Sequence, residues 1–360
     1  MQVIHFLMDH RLGGPHVFAK TLSENLKKNG DFQFTYVTPA RGELTDIALV
    51  NLRHFFSPLY VLEVPINTLL AARLAYPRPV LFHVHGAANI APVIAAGLTN
   101  TPLLWTFHET VPGFLPLVKF AKKFLKPGAY RVTGVTAASA QVYQTPEALT
   151  LPAPVDPEAY QPQSLEARPI DPTKGPRFFS LANLNPLKGQ DVLLEALAGL
   201  SGPWSLRLAG QELKTHQAYA AQLHQKARVI KAQNPLAQIE FLGWCSPAQV
   251  KAELNQTDLF ILPSRSEGTP IALLEAMAMG TVSIASLVGG IGQIVAQKTQ
   301  GFLVPPEEPK ALLGAIETFL GLSLEERSAI KKAARVHVIE QYAVQKIAAQ
   351  FGALYQELTA

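Results

Sequence analysis

The stretch Leu262–Gly280, LPSRSEGTPIALLEAMAMG, constrains this chain more than any other. The apolar run Asp258–Pro263 reads as a buried parallel strand, because a strand covered on both faces needs no polar alternation. A polar turn follows at Ser264–Gly268. Pro270 stands where a first helical residue is expected, its fixed φ suited to a helix start and its missing N–H no loss there. Ile271–Met279 reads as a helix stopped at Gly280, and the strand Thr281–Ser286 follows at once. This order puts a helix N-terminus at the carboxyl edge of a parallel sheet, where free amides and the helix dipole favour an anion such as phosphate. Two carboxylates frame that end. Glu267 precedes the helix, and Glu275 lies about 7–8 Å along its axis at roughly 1.5 Å per residue. A ligand with one group on each side of a phosphate would match this order. Two unrelated surface acids are the plainer alternative.

A chain of 360 residues suits two domains better than one core. Hydrophobic residues at 48% and a mean hydropathy of +0.14 supply buried sheets, and only 16% charged residues argue against disorder. A net charge of +4 with pI ≈ 9.0 fits anionic substrates or an anionic membrane surface, and no nucleic-acid partner is expected from it. A lone cysteine, Cys245, excludes an internal disulfide and a cysteine zinc cluster, and fits a reducing cytoplasm. Met1–Leu7 is apolar but runs into Asp9-His10-Arg11, so it is not read as a signal peptide. No apolar run is long enough to span a bilayer, and a cytoplasmic location is expected.

In the first half, Val3–Met8 reads as a strand, followed by Arg11-Leu12-Gly13-Gly14-Pro15-His16 and a helix over Val17–Lys28. Glycines in such a turn let backbone approach a phosphate, though a plain tight turn has the same signature. Phe32–Thr38 alternates as a second strand, and Leu59–Arg73 contains a helix. Val80–Val84 is a strand edged by His83, His85 and Gly86. Two histidines at i, i+2 suit a metal, but no third ligand stands out and none is expected. Thr101–Phe107 is the next buried strand. His108-Glu109 follows at its carboxyl end, where open α/β sheets keep their chemistry, although a histidine capping the strand is the plainer reading. Leu115–Lys126 is basic and amphipathic through Lys119, Lys122, Lys123 and Lys126, fit for anionic lipid or for a solvated helix face. Arg131–Thr136 reads as the last strand of this half.

The proline-rich Leu151–Pro176 reads as a link that resists helix and strand alike. Arg177–Ala182 then opens a second sheet. Its loop Asn183–Gly189 ends in Lys188, a point charge able to reach phosphate, and Gln190–Leu200 is an amphipathic helix. Ser205–Gly210 and Ile239–Gly243 are strands on either side of a long helix around Ala218–Lys231. Trp244 after them either stacks on a planar ligand or simply packs. Gly289-Gly290-Ile291-Gly292 fails the dinucleotide fingerprint, whose last small residue would be Val295. Gly301–Pro305 closes the sheet, and Lys310–Leu320 and Tyr342–Leu358 are helices.

Ser264-Arg265-Ser266-Glu267-Gly268-Thr269-Pro270 with Leu274-Glu275-Ala276-Met277-Ala278-Met279-Gly280 resembles the E-x7-E signature of retaining glycosyltransferases of the family 4 type. The resemblance implies an α/β chain of the GT-B fold, with two facing Rossmann-like doubly wound domains and a cleft between them. The expected parts are an acceptor domain over 1–165, a nucleotide-sugar domain over 175–340, and a helix over 341–360 crossing back to the first. It implies that Glu267 contacts the donor sugar and Glu275 the ribose, with Gly268, Thr269, Pro270, Ile271 and Leu274 around them. Gly13 and Gly14 would approach the diphosphate, Lys188 would support it, and His108 would contact the donor sugar near its primary hydroxyl. His85-Gly86 looks like the family's H-x-H-G segment on the acceptor side. Gly243 and Trp244 would hold the base. Val155-Asp156 with Tyr160 and Pro162 looks like its V-D-x-x-x-F-x-P stretch.

The sequence departs from the pattern at two points. Asn183 stands where the family's G-R-x-x-x-x-K-G loop has Arg, which removes a cation that Arg265 or Arg11 would have to replace, and Gln293 stands for a Glu. The implied reaction is retaining transfer from a nucleoside-diphosphate sugar, UDP favoured and GDP second, to a sugar or lipid-linked acceptor in polysaccharide or glycolipid synthesis. No cofactor or metal is expected, since the chain has no Asp-x-Asp pair. A catalytically impaired sugar-nucleotide-binding protein and a sugar-nucleotide epimerase of similar fold are the alternatives. A glycoside hydrolase lacks the rest of its pattern.

Overall fold

Strands such as LLWTF and LFIL are apolar throughout because helices cover both of their faces. A computed structural model describes residues 1–8, 13–28, 30–39, 44–49, 60–76 and 79–360, and divides the chain into two units. The first comprises Met1–Pro154 and Val344–Ala360, the second Val155–Ala343.

The first unit runs β1 (Gln2–Phe6), α1 (Gly14–Lys27), β2 (Gln33–Thr38), β3 (Ile47–Ala48), α2 (Tyr60–Arg73), β4 (Val80–His85), α3 (Ile90–Thr99), β5 (Leu103–Phe107), α4 (Leu115–Lys122), β6 (Tyr130–Gly134), α5 (Ala137–Val142) and β7 (Leu149–Thr150). Its sheet is parallel, in the order β3-β2-β1-β4-β5-β6-β7. The order reverses between β1 and β4, the place where open α/β sheets gather ligand-binding loops. Trp105 is fully buried because its indole N–H donates to the Gly86 carbonyl at 2.8 Å.

The second unit runs β8 (Arg177–Leu181), α6 (Gln190–Ala198), β9 (Trp204–Ala209), α7 (Gln217–Gln233), β10 (Ala237–Gly243), α8 (Pro247–Gln256), β11 (Leu259–Leu262), α9 (Ile271–Ala278), β12 (Val282–Ser286), α10 (Ile291–Ile294), β13 (Phe302–Val304), α11 (Pro309–Gly321) and α12 (Leu324–Tyr342). Its parallel sheet has the order β10-β9-β8-β11-β12-β13 and reverses between β8 and β11. The chain returns to the first unit as α13 (Val344–Thr359), which packs on α1.

Several boundaries differ from those expected. The link 155–165 belongs to the second unit, not the first: the Val155 amide bonds to Tyr342 O at 2.9 Å, and Arg335 donates to Tyr160 O at 2.8 Å. The final helix starts at Val344 and not at Tyr342, because Ala343 takes extended backbone to bridge with Val155. β6 is not the last strand of its half, since the short β7 pairs at its edge. Pro270 is an N-cap with extended ψ and not a first helical residue.

At the β8/β11 reversal the two following loops touch. Gly189 has φ +66°, and a Cβ there would stand 2.0 Å from the carbonyl oxygen of Pro263, so backbone meets backbone where a side chain has no room. Gly128 has φ +84° with open space around it. Gly189→Ala should therefore cost more than roughly 3 kcal/mol in urea unfolding, and Gly128→Ala only about 1–2 kcal/mol for backbone strain alone. Equal losses would show that the loop contact adds nothing.

Candidate functional site

The loops that follow β8 and β11 hold most of the residues singled out in the second half of the sequence. The first is a turn Pro186–Lys188 opened by Asn185, whose side chain accepts from the Leu187 amide. The second is laced to it by the Arg265 amide, which donates to Leu187 O at 2.8 Å. This places Lys188 Nζ 2.8 Å from Glu267 Oε1, and the buried Ser264 hydroxyl donates to the same oxygen at 2.7 Å. Gly289 braces the Glu267 loop from the other side: its own Cβ position lies 1.8 Å from Glu267 O, and the Gly290 amide donates to Gly268 O at 3.2 Å. The glycine-rich 289–292 segment is thus a buttress for this loop.

Thr269 leads into Pro270, whose carbonyl accepts from the amides of Leu273 and Leu274. Among the described residues this leaves the amides of Ile271 and Ala272 as the open donors of the first turn. Glu275 lies one turn further along α9 and is buried. Burial pushes its carboxyl up to about 7, with the Tyr160 hydroxyl, which donates to Oε1 at 2.6 Å, pulling the other way. Tyr160 is itself held through its carbonyl by Arg335, which also bonds the carbonyl of Ala278 at the end of α9.

Three of the residues expected at the site are engaged within this unit. Arg265 cannot serve as the spare cation for Asn183. Its guanidinium is committed to Asp191 through two 2.8 Å bonds, to Glu307 at 2.9 Å and to Pro186 O at 2.6 Å. Burial alone would raise the Asp191 carboxyl, but the hydrogen bonds from Arg265 and Tyr219 outweigh it and hold Asp191 below the usual carboxylate range. The Asn183 side-chain Oδ1 accepts from the Gln211 amide at 2.9 Å, a clamp between two loops. The Leu274 side chain is fully buried in the core. Arg11, the other candidate, lies outside the described residues.

Gly243 ends β10 with its carbonyl accepting from the Gly210 amide at 2.7 Å, and Trp244 after it is 45% exposed, so packing does not account for it.

In the first unit, Gly13 caps α1 and Gly14 begins it, with open space where a Cβ on Gly14 would go. His108 follows β5. Its amide donates to Glu109 Oε2 at 3.1 Å, while Glu109 Oε1 accepts from the Ala87 amide at 2.5 Å, which ties the ends of β4 and β5 together. Its ring Nε2 bonds His85 Nδ1 at 2.9 Å, and His85 Nε2 bonds His5 Nδ1 at 2.8 Å. Sequence reasoning found no third histidine beside His83 and His85. It is His5, in register with His83 across β1 and β4 and on the same face of the sheet. The nearest ring nitrogens of His5, His83 and His85 lie within 4.8 Å of one another. Both nitrogens of His83 are already bonded, to Tyr355 OH and to Thr106 Oγ1, each at 2.7 Å.

The raised carboxyl of Glu275 has a measurable sign. Its folded value of about 7 exceeds the ordinary 4.5, so its contribution to stability is complete below about pH 4.5 and is lost as pH rises through 7. Glu275→Gln should remove that loss and melt several degrees above the native chain at pH 8, with a much smaller difference at pH 5, by scanning calorimetry. Parallel melting curves across this range would show that Glu275 is ionised throughout.

Two family models match. Glycosyl transferases group 1 covers residues 164–337 and Glycosyltransferase Family 4 covers 12–153. The chain is 30% identical over 224 residues to the putative colanic acid biosynthesis glycosyltransferase WcaL of Escherichia coli K12, covering 57% of this chain and 50% of that protein. It is 29% identical over 174 residues to the lipopolysaccharide core biosynthesis mannosyltransferase LpcC of Rhizobium leguminosarum, covering 48% of each. It thus spans about half the length of the curated relatives it matches. The crystal structure of Anabaena Alr3699/HepE in complex with UDP-glucose superposes with a TM-score of 0.82 at 18% identity over 99% of both chains. With the two parallel-sheet units this establishes the GT-B fold, and the matched families account for nearly the whole sequence: the chain belongs to the group 1 and family 4 glycosyltransferases.

Proposed function

We propose that the chain transfers a glycosyl group, with retention, from a nucleoside-diphosphate sugar to a hydroxyl of a sugar or lipid-linked acceptor in surface polysaccharide or glycolipid synthesis. The observation that carries this reading is the convergence of Lys188, Glu267 and the open amides of α9 in two adjoining loops, with Glu275 one turn beyond. In this reading the diphosphate rests on the start of α9 and takes over Lys188 from Glu267. Glu267 then turns to the sugar hydroxyls, and Glu275, steadied by Tyr160 through Oε1, accepts from the ribose through Oε2. The exposed Trp244 stacks on the base, and Gly13, Gly14 and His108 take the roles the family pattern gives them. UDP is favoured and GDP second, because the structural relatives include one solved with UDP and with UDP-glucose. Charge building on the leaving diphosphate is met by Lys188 and the helix amides, and a diphosphate oxygen takes the acceptor's proton. No metal is assigned a part in this reading.

The face of α4 supports contact with an anionic membrane. Lys119, Phe120 and Lys123 are exposed there, while Lys122 is tied to Glu147 at 2.6 Å. Among the described residues no helix is long and apolar enough to cross a membrane. One observation favours the second reading, a sugar-nucleotide-binding protein without transfer: the capture of Arg265 leaves Lys188 to face the diphosphate without the family's arginine.

Release of nucleoside diphosphate from a panel of UDP-, GDP- and ADP-sugars separates the two. Transfer predicts turnover with the UDP-sugar that raises the melting temperature most, and Lys188→Ala should lower kcat about 10²–10³-fold. Binding without release would leave the second reading standing. Turnover should also survive a chelator; complete loss in EDTA, restored by a divalent ion, would count against the metal-free assignment.

A further inference from the structure

Lys188 and Glu267 meet beside a single residue that touches the backbone before the one and directly precedes the other. Arg265 stands just ahead of Glu267 in the chain, and its own donors fall on the two residues before Lys188. The Arg265 amide donates to Leu187 O at 2.8 Å, and Nη1 donates to Pro186 O at 2.6 Å. Pro186 O also accepts the Gly189 amide at 3.2 Å, so it is the carbonyl that closes the turn Pro186–Lys188. Arg265 thus grips the turn that carries Lys188 from outside, through backbone and side chain together.

The guanidinium is itself held in place. Asp191, in the first turn of α6, accepts from Nη1 on Oδ1 and from Nη2 on Oδ2, each at 2.8 Å. A planar fork of this kind fixes the rotation of the group as well as its distance. Behind it, the Tyr219 hydroxyl of α7 donates to Asp191 Oδ1 at 2.7 Å and accepts the Asp191 amide at 3.1 Å. On the other side Nε donates to Glu307 Oε1 at 2.9 Å, in the loop between β13 and α11. Three parts of the second unit distant in sequence, the Pro186–Asp191 segment, α7 and the loop after β13, therefore converge on one side chain.

Charge is not what this residue adds. Two carboxylates, Asp191 and Glu307, face its one positive charge, so the cluster has none to spare for an anion. Its shape is what no other side chain supplies. A lysine keeps the charge as a single point and cannot take both Asp191 oxygens in a plane while reaching Pro186 O. We propose that Arg265, held flat by Asp191, is a positioning residue for Lys188: a splint that fixes the turn presenting the lysine to Glu267 and to the ligand, by geometry and not by charge. The splint rests on the fold of the second unit. Its use in transfer rests on the function proposed above.

The two parts are tested separately on the full chain. Without any ligand, hydrogen exchange read by mass spectrometry on peptides covering 186–190 reports the closure of the turn, whose Lys188 and Gly189 amides bond Asn185 O and Pro186 O. In Arg265→Lys exchange there should rise about ten-fold, the size of one lost hydrogen bond, while peptides over β12 in the same unit keep their native rates. With a sugar nucleotide that the native chain turns over, Arg265→Lys should lower kcat about 10–10²-fold, the scale of a small misplacement of a reacting group, and change KM less than about three-fold. In a Lys188→Ala background the same substitution should cost less than about two-fold, because an effect carried through Lys188 vanishes with it. Native exchange in the turn of Arg265→Lys, or native kcat, overturns the splint and leaves charge as what the residue supplies. A rise in exchange spread evenly over the second unit, β12 included, overturns it as general destabilisation. A loss of kcat equally large with and without Lys188 overturns it too, since Arg265 then acts on its own. If the native chain turns over no sugar nucleotide, the functional reading fails, and the exchange rates still decide the splint.

Discussion

The close approach of two loops at the β8/β11 reversal underlies the candidate site. Neighbouring parallel strands bring the ends of β8 and β11 side by side, but the strand spacing alone leaves their loops free to diverge. Gly189 removes the side chain that would hold them apart, and the Arg265 amide fastens one loop to the other. Only then does a lysine from the first loop reach a glutamate from the second. The same economy recurs at Gly289, where a missing Cβ lets a third loop brace Glu267 from behind. Gly189 and Gly289 thus serve as contact points between backbones.

The two units manage buried ionisable groups in different ways. In the second, opposite charges are matched: Arg265 with Asp191, Lys188 with Glu267. In the first, burial strips charge from a row of histidines, and hydrogen bonds then satisfy their nitrogens in sequence. Glu275 stands between these cases, a carboxyl buried against a single phenol and held near the middle of the physiological pH range. A group so placed responds to a ligand that brings new hydrogen-bond donors.

The site was legible where chemistry is local. The spacing of Glu267 and Glu275, the glycine before α6 and the helix after Pro263 can all be read along the chain, because turn and helix signals act over a few residues. What failed to read was partnership. Arg265 looked like a spare cation, yet Asp191 sits far along the chain and lies beside it only after α6 packs. Leu274 lies between Glu267 and Glu275 in the sequence, and helical periodicity turns its side chain into the core. Tyr160 resembled a family phenylalanine position, and only its hydroxyl, meeting Glu275 across 2.6 Å, joins it to the candidate site. His5 had a visible signal that went unread: a histidine in the first strand in phase with His83 and His85.

The sequence by itself determined the two α/β units, the parallel strands and the helix start after Pro270. Hydrophobic patterning and turn chemistry decide these within a window of residues. The tertiary structure alone decided which charges are paired with which, which glycines serve backbone contact, and how three histidines and a serine distant in sequence bond to one another. Those outcomes depend on pairs distant in sequence, whose meeting is set by strand order and by helix packing and not by any local preference.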